Sequence, residues 1–123
     1  MSLILTVDDR ANDRELLSLV LGYIGHTMLE AATGPEALET ARTKKPDLIM
    51  VDLMMPGMNG YEFVTELRAD PTISDTPIVF CTATYDQEEP RRMAARCGVE
   101  HILVKPCEAL EIIRVASAAL GLI

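Results

Sequence analysis

Five short apolar runs recur along this chain, and a longer stretch with helical spacing of its apolar residues follows each of them. The first run, Leu3–Val7, is apolar apart from Thr6 and ends in Asp8-Asp9. Beyond it, Leu16, Leu17, Val20, Leu21 and Ile24 share one face at helical period. Asn12 or Asp13 is suited to cap the start of that helix, and Gly25 to end it. A weaker run spans Thr27–Ala32, after which Gly34-Pro35 opens a second helix, since proline at the first helical position forfeits no hydrogen bond. Lys44-Lys45-Pro46 breaks that helix, and Leu48-Ile49-Met50-Val51 reads as a strand buried on both faces. The loop Met55-Pro56-Gly57-Met58-Asn59-Gly60 carries residues for a tight reversal. A third helix follows at about Tyr61–Arg68, with Phe63, Val64 and Leu67 inward. Ile78–Cys81 is the fourth strand, a helix containing Met93, Ala94 and Cys97 ends at Gly98, and Ile102–Val104 is the fifth strand. Leu110, Ile113 and Leu120 mark the last helix.

Five βα units with doubly buried strands predict an α/β fold, a parallel sheet covered by helices on both faces. At 123 residues the flavodoxin-like strand order 2-1-3-4-5 is the leading arrangement, and its ligand crevice lies at the carboxyl ends of the first and third strands. The chain fits a single domain, 1–123, with no internal repeat, low-complexity tract or linker. Its end close to the last helix suits a complete small protein and a domain excised from a longer chain equally.

Charge narrows the function. Eleven basic residues against 19 acidic ones give a net charge of −8, which argues against direct contact with nucleic acid, since such contact depends on Lys and Arg neutralising phosphates. No apolar run is long enough to span a bilayer and no signal-like segment opens the chain, so a cytoplasmic setting away from the membrane is expected. Cys81, Cys97 and Cys107 lack metal-finger spacing, and Cys81 reads as a small buried hydrophobe.

The polar residues fall where the predicted crevice lies. Asp8 and Asp9 end the first strand, Asp52 the third, Thr82 the fourth and Lys105 the fifth. In the proposed strand order all five side chains converge on one edge of the sheet. Acids at strand-to-helix junctions commonly serve as caps, so Asp8-Asp9 alone decides little. Three carboxylates brought together, however, repel one another unless a cation or protons intervene. An oxygen-only set of this kind suits Mg²⁺, or Mn²⁺ in its place. A carboxylate can act as a nucleophile and form an aspartyl-phosphate, a divalent cation neutralises charge on the transferring group, and Lys105 can reach a phosphoryl oxygen. The Thr82 hydroxyl can donate to another oxygen, and Ala83 leaves room for the incoming group.

These residues resemble a known family. Val7-Asp8-Asp9, the segment from Asp52 through Met54, Met55-Pro56-Gly57-Met58-Asn59-Gly60 to Tyr61-Glu62, then Thr82-Ala83 and Lys105-Pro106 are similar, in order and spacing, to the signature of bacterial response-regulator receiver domains. Gly34-Pro35-Glu36-Ala37-Leu38 resembles the start of that family's second helix. The likeness runs from about Leu3 to Leu120. It implies a module of a two-component phosphorelay in which Asp52 takes a phosphoryl group from a phosphohistidine on a sensor histidine kinase or a histidine phosphotransfer protein. It further implies that Asp9 and Asp52 ligate Mg²⁺ directly, that Asp8 does so mainly through water, and that the Met54 carbonyl completes the protein's share. Lys105 would pair with the phosphoryl group, held by a cis bond before Pro106. Thr82 would move toward the phosphate on activation. On this reading the chain catalyses only its own phosphorylation and slow dephosphorylation, and passes the signal to an output domain or partner. Phosphorylation-dependent dimerisation through the last two helices and the fifth strand is common in the family.

One position departs from the family pattern. Many receivers carry Tyr or Phe three residues before the lysine, as a ring that turns inward when the threonine moves, and here that position is Ile102. Output is then expected to run through the Thr82–Gln87 loop and the helix after it, with Met54 and Thr84 at positions that tune phosphate lifetime. The rival reading is a Mg²⁺-dependent phosphohydrolase with an aspartate nucleophile, as in the haloacid-dehalogenase class. That class carries D-x-D on its first strand, whereas Asp8 and Asp9 are adjacent and the isolated acid lies on the third. A flavin module on the same fold would place its phosphate against these carboxylates.

Overall fold

The computed structural model describes residues 1–83 and 88–123. Among them, strands and helices alternate as β1 (Leu3–Val7), α1 (Ala11–Tyr23), β2 (Thr27–Ala31), α2 (Gly34–Lys44), β3 (Leu48–Asp52), α3 (Gly60–Arg68), β4 (Ile78–Thr82), α4 (Glu88–Arg96), β5 (His101–Val104) and α5 (Ala109–Ala119). All strand pairs are parallel, in the order β2-β1-β3-β4-β5. The flavodoxin-like arrangement expected from the alternation is therefore the one observed.

The burial of each strand follows its place in the sheet. Every residue of β3 and β4 is buried, as continuous apolar sequence in a doubly covered sheet requires. The edge strand β2 exposes Thr27 and Glu30, which is why its apolar run is the weakest. Two apolar layers flank the sheet. Ala37, Leu38 and Ala41 of α2, Phe63, Val64 and Leu67 of α3 and Ala94 of α4 pack with Leu5, Val51 and Phe80 on one side. On the other, Leu17 and Leu21 of α1 join Ile112, Val115 and Ala116 of α5 over Ile4, Met50 and Leu103.

Several local expectations need correction. The first helix begins at Ala11 with Arg10 at the cap position and no side-chain cap, so neither Asn12 nor Asp13 caps it and Asp13 lies inside its first turn. Leu17 and Leu21 are buried, but Leu16 is 42% exposed and Ile24 lies at the surface. On α5, Leu110 is 79% exposed and the inward face belongs to Ile112, Val115 and Ala116. Both helices carry more apolar residues than one face can bury.

Tight packing or turn geometry sets the glycines that matter here. Gly25 adopts a φ of 105° just past α1, a conformation that favours glycine and matches the expected end of that helix. Among the described residues no helix is long and apolar enough to cross a membrane.

Candidate functional site

Strand register brings the polar residues together. Val7 pairs with Val51, so the next residues, Asp8 and Asp52, stand side by side at the ends of β1 and β3. Asp52 pairs with Cys81, and Thr82, one residue further along, pairs with Val104. Lys105 leaves β5 at the same edge, its backbone N–H donating to the Thr82 carbonyl at 2.7 Å. The sheet places at one edge all five residues singled out on sequence grounds.

Asp8, Asp9 and Asp52 each offer a carboxylate oxygen, and these three atoms lie within 4.8 Å of one another. Asp8 and Asp52 are buried while Asp9 is exposed. An all-oxygen donor set of this charge fits a hard divalent cation such as Mg²⁺. The Asp52 carboxyl is raised above its ordinary pKa, chiefly by burial. Lys105 pulls in the opposite direction, but burial together with the charges of Asp8 and Asp9 outweighs it.

Asp52 is fixed from two sides. Its Oδ1 accepts from the Met54 backbone N–H at 3.2 Å. Behind it, α3 starts with a capping box in which the Asn59 side chain accepts from the Glu62 N–H and Glu62 accepts from the Asn59 N–H. The helix start is drawn against the end of β3, where the Gly60 N–H donates to the Leu53 carbonyl at 3.1 Å. Of the loop methionines, Met55 is buried and Met58 packs on the core. Met54, between them and the strand, is 76% exposed.

Lys105 carries the positive charge of the site. Its Nζ donates to Asp8 Oδ2 at 2.7 Å and to Asp13 Oδ2 at 3.0 Å, and lies 3.6 Å from Asp52 Oδ2. Burial by itself would lower the ammonium pKa, but the hydrogen bonds to Asp8 and Asp13 and the charge of Asp52 outweigh it and hold the pKa above the usual lysine value. Asp8 is held in turn, its Oδ1 accepting from the Arg10 N–H at 3.0 Å and its carbonyl from the Arg14 guanidinium at 2.7 Å. The peptide bond between Lys105 and Pro106 is cis.

Asp13 is the residue that sequence reasoning passed over as a helix cap. The signal was present: Asp13 stands four and eight residues before the buried Leu17 and Leu21. Extending the inward stripe of α1 one turn back therefore lands on this carboxylate.

Thr82 is fully buried at the end of β4 and Ala83 beside it is exposed. Ile102 is half-buried and packs against the layer formed by α2, α3 and α4. Thr84 and the rest of the expected output loop, residues 84–87, lie outside the described residues. Cys81 is buried, and burial raises the pKa of its thiol far above the ordinary value, as fits a packing role. His26 has a local partner, its Nδ1 accepting from the Ser2 N–H at 3.2 Å.

A model of the response regulator receiver domain family matches residues 4–117. The protein PilH of Pseudomonas aeruginosa is 33% identical over 121 residues, which cover 98% of this chain and 99% of PilH. The phosphate regulon transcriptional regulatory protein PhoB of the same organism is also 33% identical, over 95% of this chain but only 51% of PhoB. The chain thus spans nearly all of one relative and about half of another. Among solved structures, the chemotaxis protein CheY4 of Vibrio cholerae superposes with a TM-score of 0.91 at 31% identity, covering 97% of this chain and 98% of CheY4.

Proposed function

This chain belongs to the response regulator receiver domain family, and on that premise we propose that Asp52 is its phosphoacceptor. Receiver domains of response regulators take a phosphoryl group from histidine kinases and generally bind Mg²⁺ at an acidic pocket. The observation that carries the residue assignment is the company Asp52 keeps, with two further carboxylates within 4.8 Å and an ammonium at 3.6 Å.

The chemistry is a displacement at phosphorus. A carboxylate oxygen of Asp52 forms the new O–P bond as the P–N bond of a phosphohistidine breaks, and the imidazole nitrogen keeps the bonding electron pair. Asp9 and Asp52 would hold Mg²⁺ directly, Asp8 through water, with the Met54 carbonyl as a further ligand. When bound, the ion supplies positive charge to offset that on the transferring group. Lys105 supplies a second positive charge to the phosphoryl oxygens, and Thr82 a hydroxyl donor at the end of the neighbouring strand. The capped start of α3 keeps Asp52 in place during attack. The domain acts on itself alone, acquiring and slowly losing its own phosphoryl group, in the cytoplasm and opposite a sensor kinase or phosphotransfer protein.

Incubation with acetyl phosphate and Mg²⁺ tests this reading. Mass spectrometry should find one added phosphoryl group per chain, absent from Asp52→Asn and absent when the metal is chelated. Full labelling of Asp52→Asn would refute the assignment, and turnover of many equivalents of a sugar phosphate would point to a hydrolase instead.

A further inference from the structure

Lys105 has three N–H donors, and two of them go to Asp8 and Asp13. Asp52 Oδ2, at 3.6 Å, is an ion-pair partner beyond hydrogen-bond range. The proposed function requires the ammonium to reach an oxygen of a group carried on Asp52. Asp8 and Asp52 already have parts in that chemistry, but Asp13 has none. It stands in the first turn of α1, 92 residues from Lys105 in sequence, and turns its carboxylate toward the ammonium across the α1–β5 side of the site.

We propose that Asp13 is a positioning residue that restrains Lys105 on the α1 side in the unphosphorylated domain, so that capture of a phosphoryl group requires this ion pair to yield. The inference rests on Asp52 being the acceptor. Three observations support it. The ion pair ties the first turn of α1 to the residue that follows β5, and at 3.0 Å it engages the cation more closely than Asp52 does at 3.6 Å. Lys105 and Asp13 both line a cavity of about 620 Å³ beside the site, bounded also by Leu17, Cys81 and Cys107, so the lysine stem has space to swing. Asp13 is also partly exposed, and a partly screened ion pair is weak enough to exchange for a doubly charged phosphoryl group.

Phosphorylation rates with acetyl phosphate at saturating Mg²⁺ decide the matter. Asp13→Asn should label about fivefold faster than wild type, the order of effect expected from losing one partly exposed ion pair. Asp13→Glu, which restores the charge, should return the rate toward wild type. In a Lys105→Met background, the slow residual labelling should be unaffected by Asp13→Asn, because the restraint acts through the lysine. A urea melt of Asp13→Asn checks that the variant is folded before its rate is read. An unchanged or slower rate for folded Asp13→Asn would overturn the inference. So would an equal acceleration in the Lys105→Met background, which would assign the effect to direct repulsion of the anionic donor. Wild-type protein that takes no label at Asp52 would refute the proposed function itself, whereas normal wild-type labelling with an indifferent Asp13→Asn would refute only the role of Asp13.

Discussion

Gly60 and Asp52 are in such close contact that a β-carbon on Gly60 would stand 2.5 Å from the Asp52 carbonyl oxygen and 2.9 Å from the Leu53 Cα. Both obstacles are backbone, which cannot rotate aside as a side chain could. Gly60→Ala must therefore push the start of α3 away from the strand that carries Asp52. Overpacking of this kind costs about 1–3 kcal/mol, and we expect the upper part of that range in a urea melt. Labelling with acetyl phosphate should slow in parallel, since the displaced backbone is that of the proposed acceptor. A variant of wild-type stability would show that α3 can shift freely.

The raised pKa of Asp52 has a definite consequence for stability. A carboxyl raised in the folded state binds its proton more tightly there than in the unfolded chain, where aspartate titrates near about 3.9. Its contribution is complete below that unfolded value and is lost as the pH rises through the folded one. Asp52→Asn removes the ionisation while keeping an oxygen for the Met54 N–H. In metal-free buffer the variant should melt at a higher temperature than wild type at pH 7, and the gap should narrow below about pH 4. Equal melting temperatures at pH 7 would mean that Lys105 fully offsets the burial of Asp52.

Mg²⁺ should reverse that order. A ligand at 100 times its dissociation constant stabilises the folded state by about 2.7 kcal/mol, or roughly 10 °C for a domain of this size. Wild-type protein should gain that increment on Mg²⁺ addition and lose it on chelation. Asp9→Asn changes an exposed side chain and should alter the metal-free melting temperature little while removing most of the Mg²⁺ response. Retention of the full response by Asp9→Asn would remove that residue from the ligand set.

Strand order and site could be read from the sequence for the same reason. Once alternating βα units dictate a parallel sheet, the residue after each apolar run is committed to one edge, and Asp8, Asp52, Thr82 and Lys105 meet there whatever the helices do. The helix faces are less determinate. Leu16 and Leu110 fit an apolar stripe as well as Leu17 and Ile112 do, and only the packing of α1 beside α5 decides which pair is buried. Asp13 was missed because capping is a local explanation that suffices for an acid near a helix start, whereas its partner lies at the far end of the chain.

Arg68 is another long-range anchor with no signature in sequence. At the end of α3 its guanidinium donates to the carbonyls of Ser74 at 2.8 Å, Thr76 at 2.7 Å and Cys97 at 3.2 Å. It thereby ties the approach to β4 and the end of α4 to one side chain. Arg68→Ala leaves these half-buried carbonyls unpaired and should cost about 2–3 kcal/mol. Arg68→Lys should recover less than half of that loss, because a single ammonium cannot span three acceptors as a planar fork does. Denaturant midpoints of the two variants measure the difference, and a fully restored Lys variant would reduce the role of Arg68 to charge alone.

Thr6 offers the opposite test, a substitution that should improve stability without touching the chemistry. It interrupts the apolar run of β1, is fully buried, and its hydroxyl finds no hydrogen-bond partner among the described residues. Alternation along the strand puts it on the same face as Ile4, toward the apolar layer formed with α1 and α5. Burying an unsatisfied hydroxyl is unfavourable, and valine replaces it with a methyl group of similar size and higher strand propensity. Thr6→Val should therefore raise the unfolding free energy by about 1 kcal/mol in a urea titration. Because Asp8 is positioned by the Arg10 N–H and by Lys105, the labelling rate of Asp52 should stay at the wild-type value. A loss of stability would show that the hydroxyl has a bonding role, and a changed labelling rate would tie Thr6 to Asp8, two residues further along the chain.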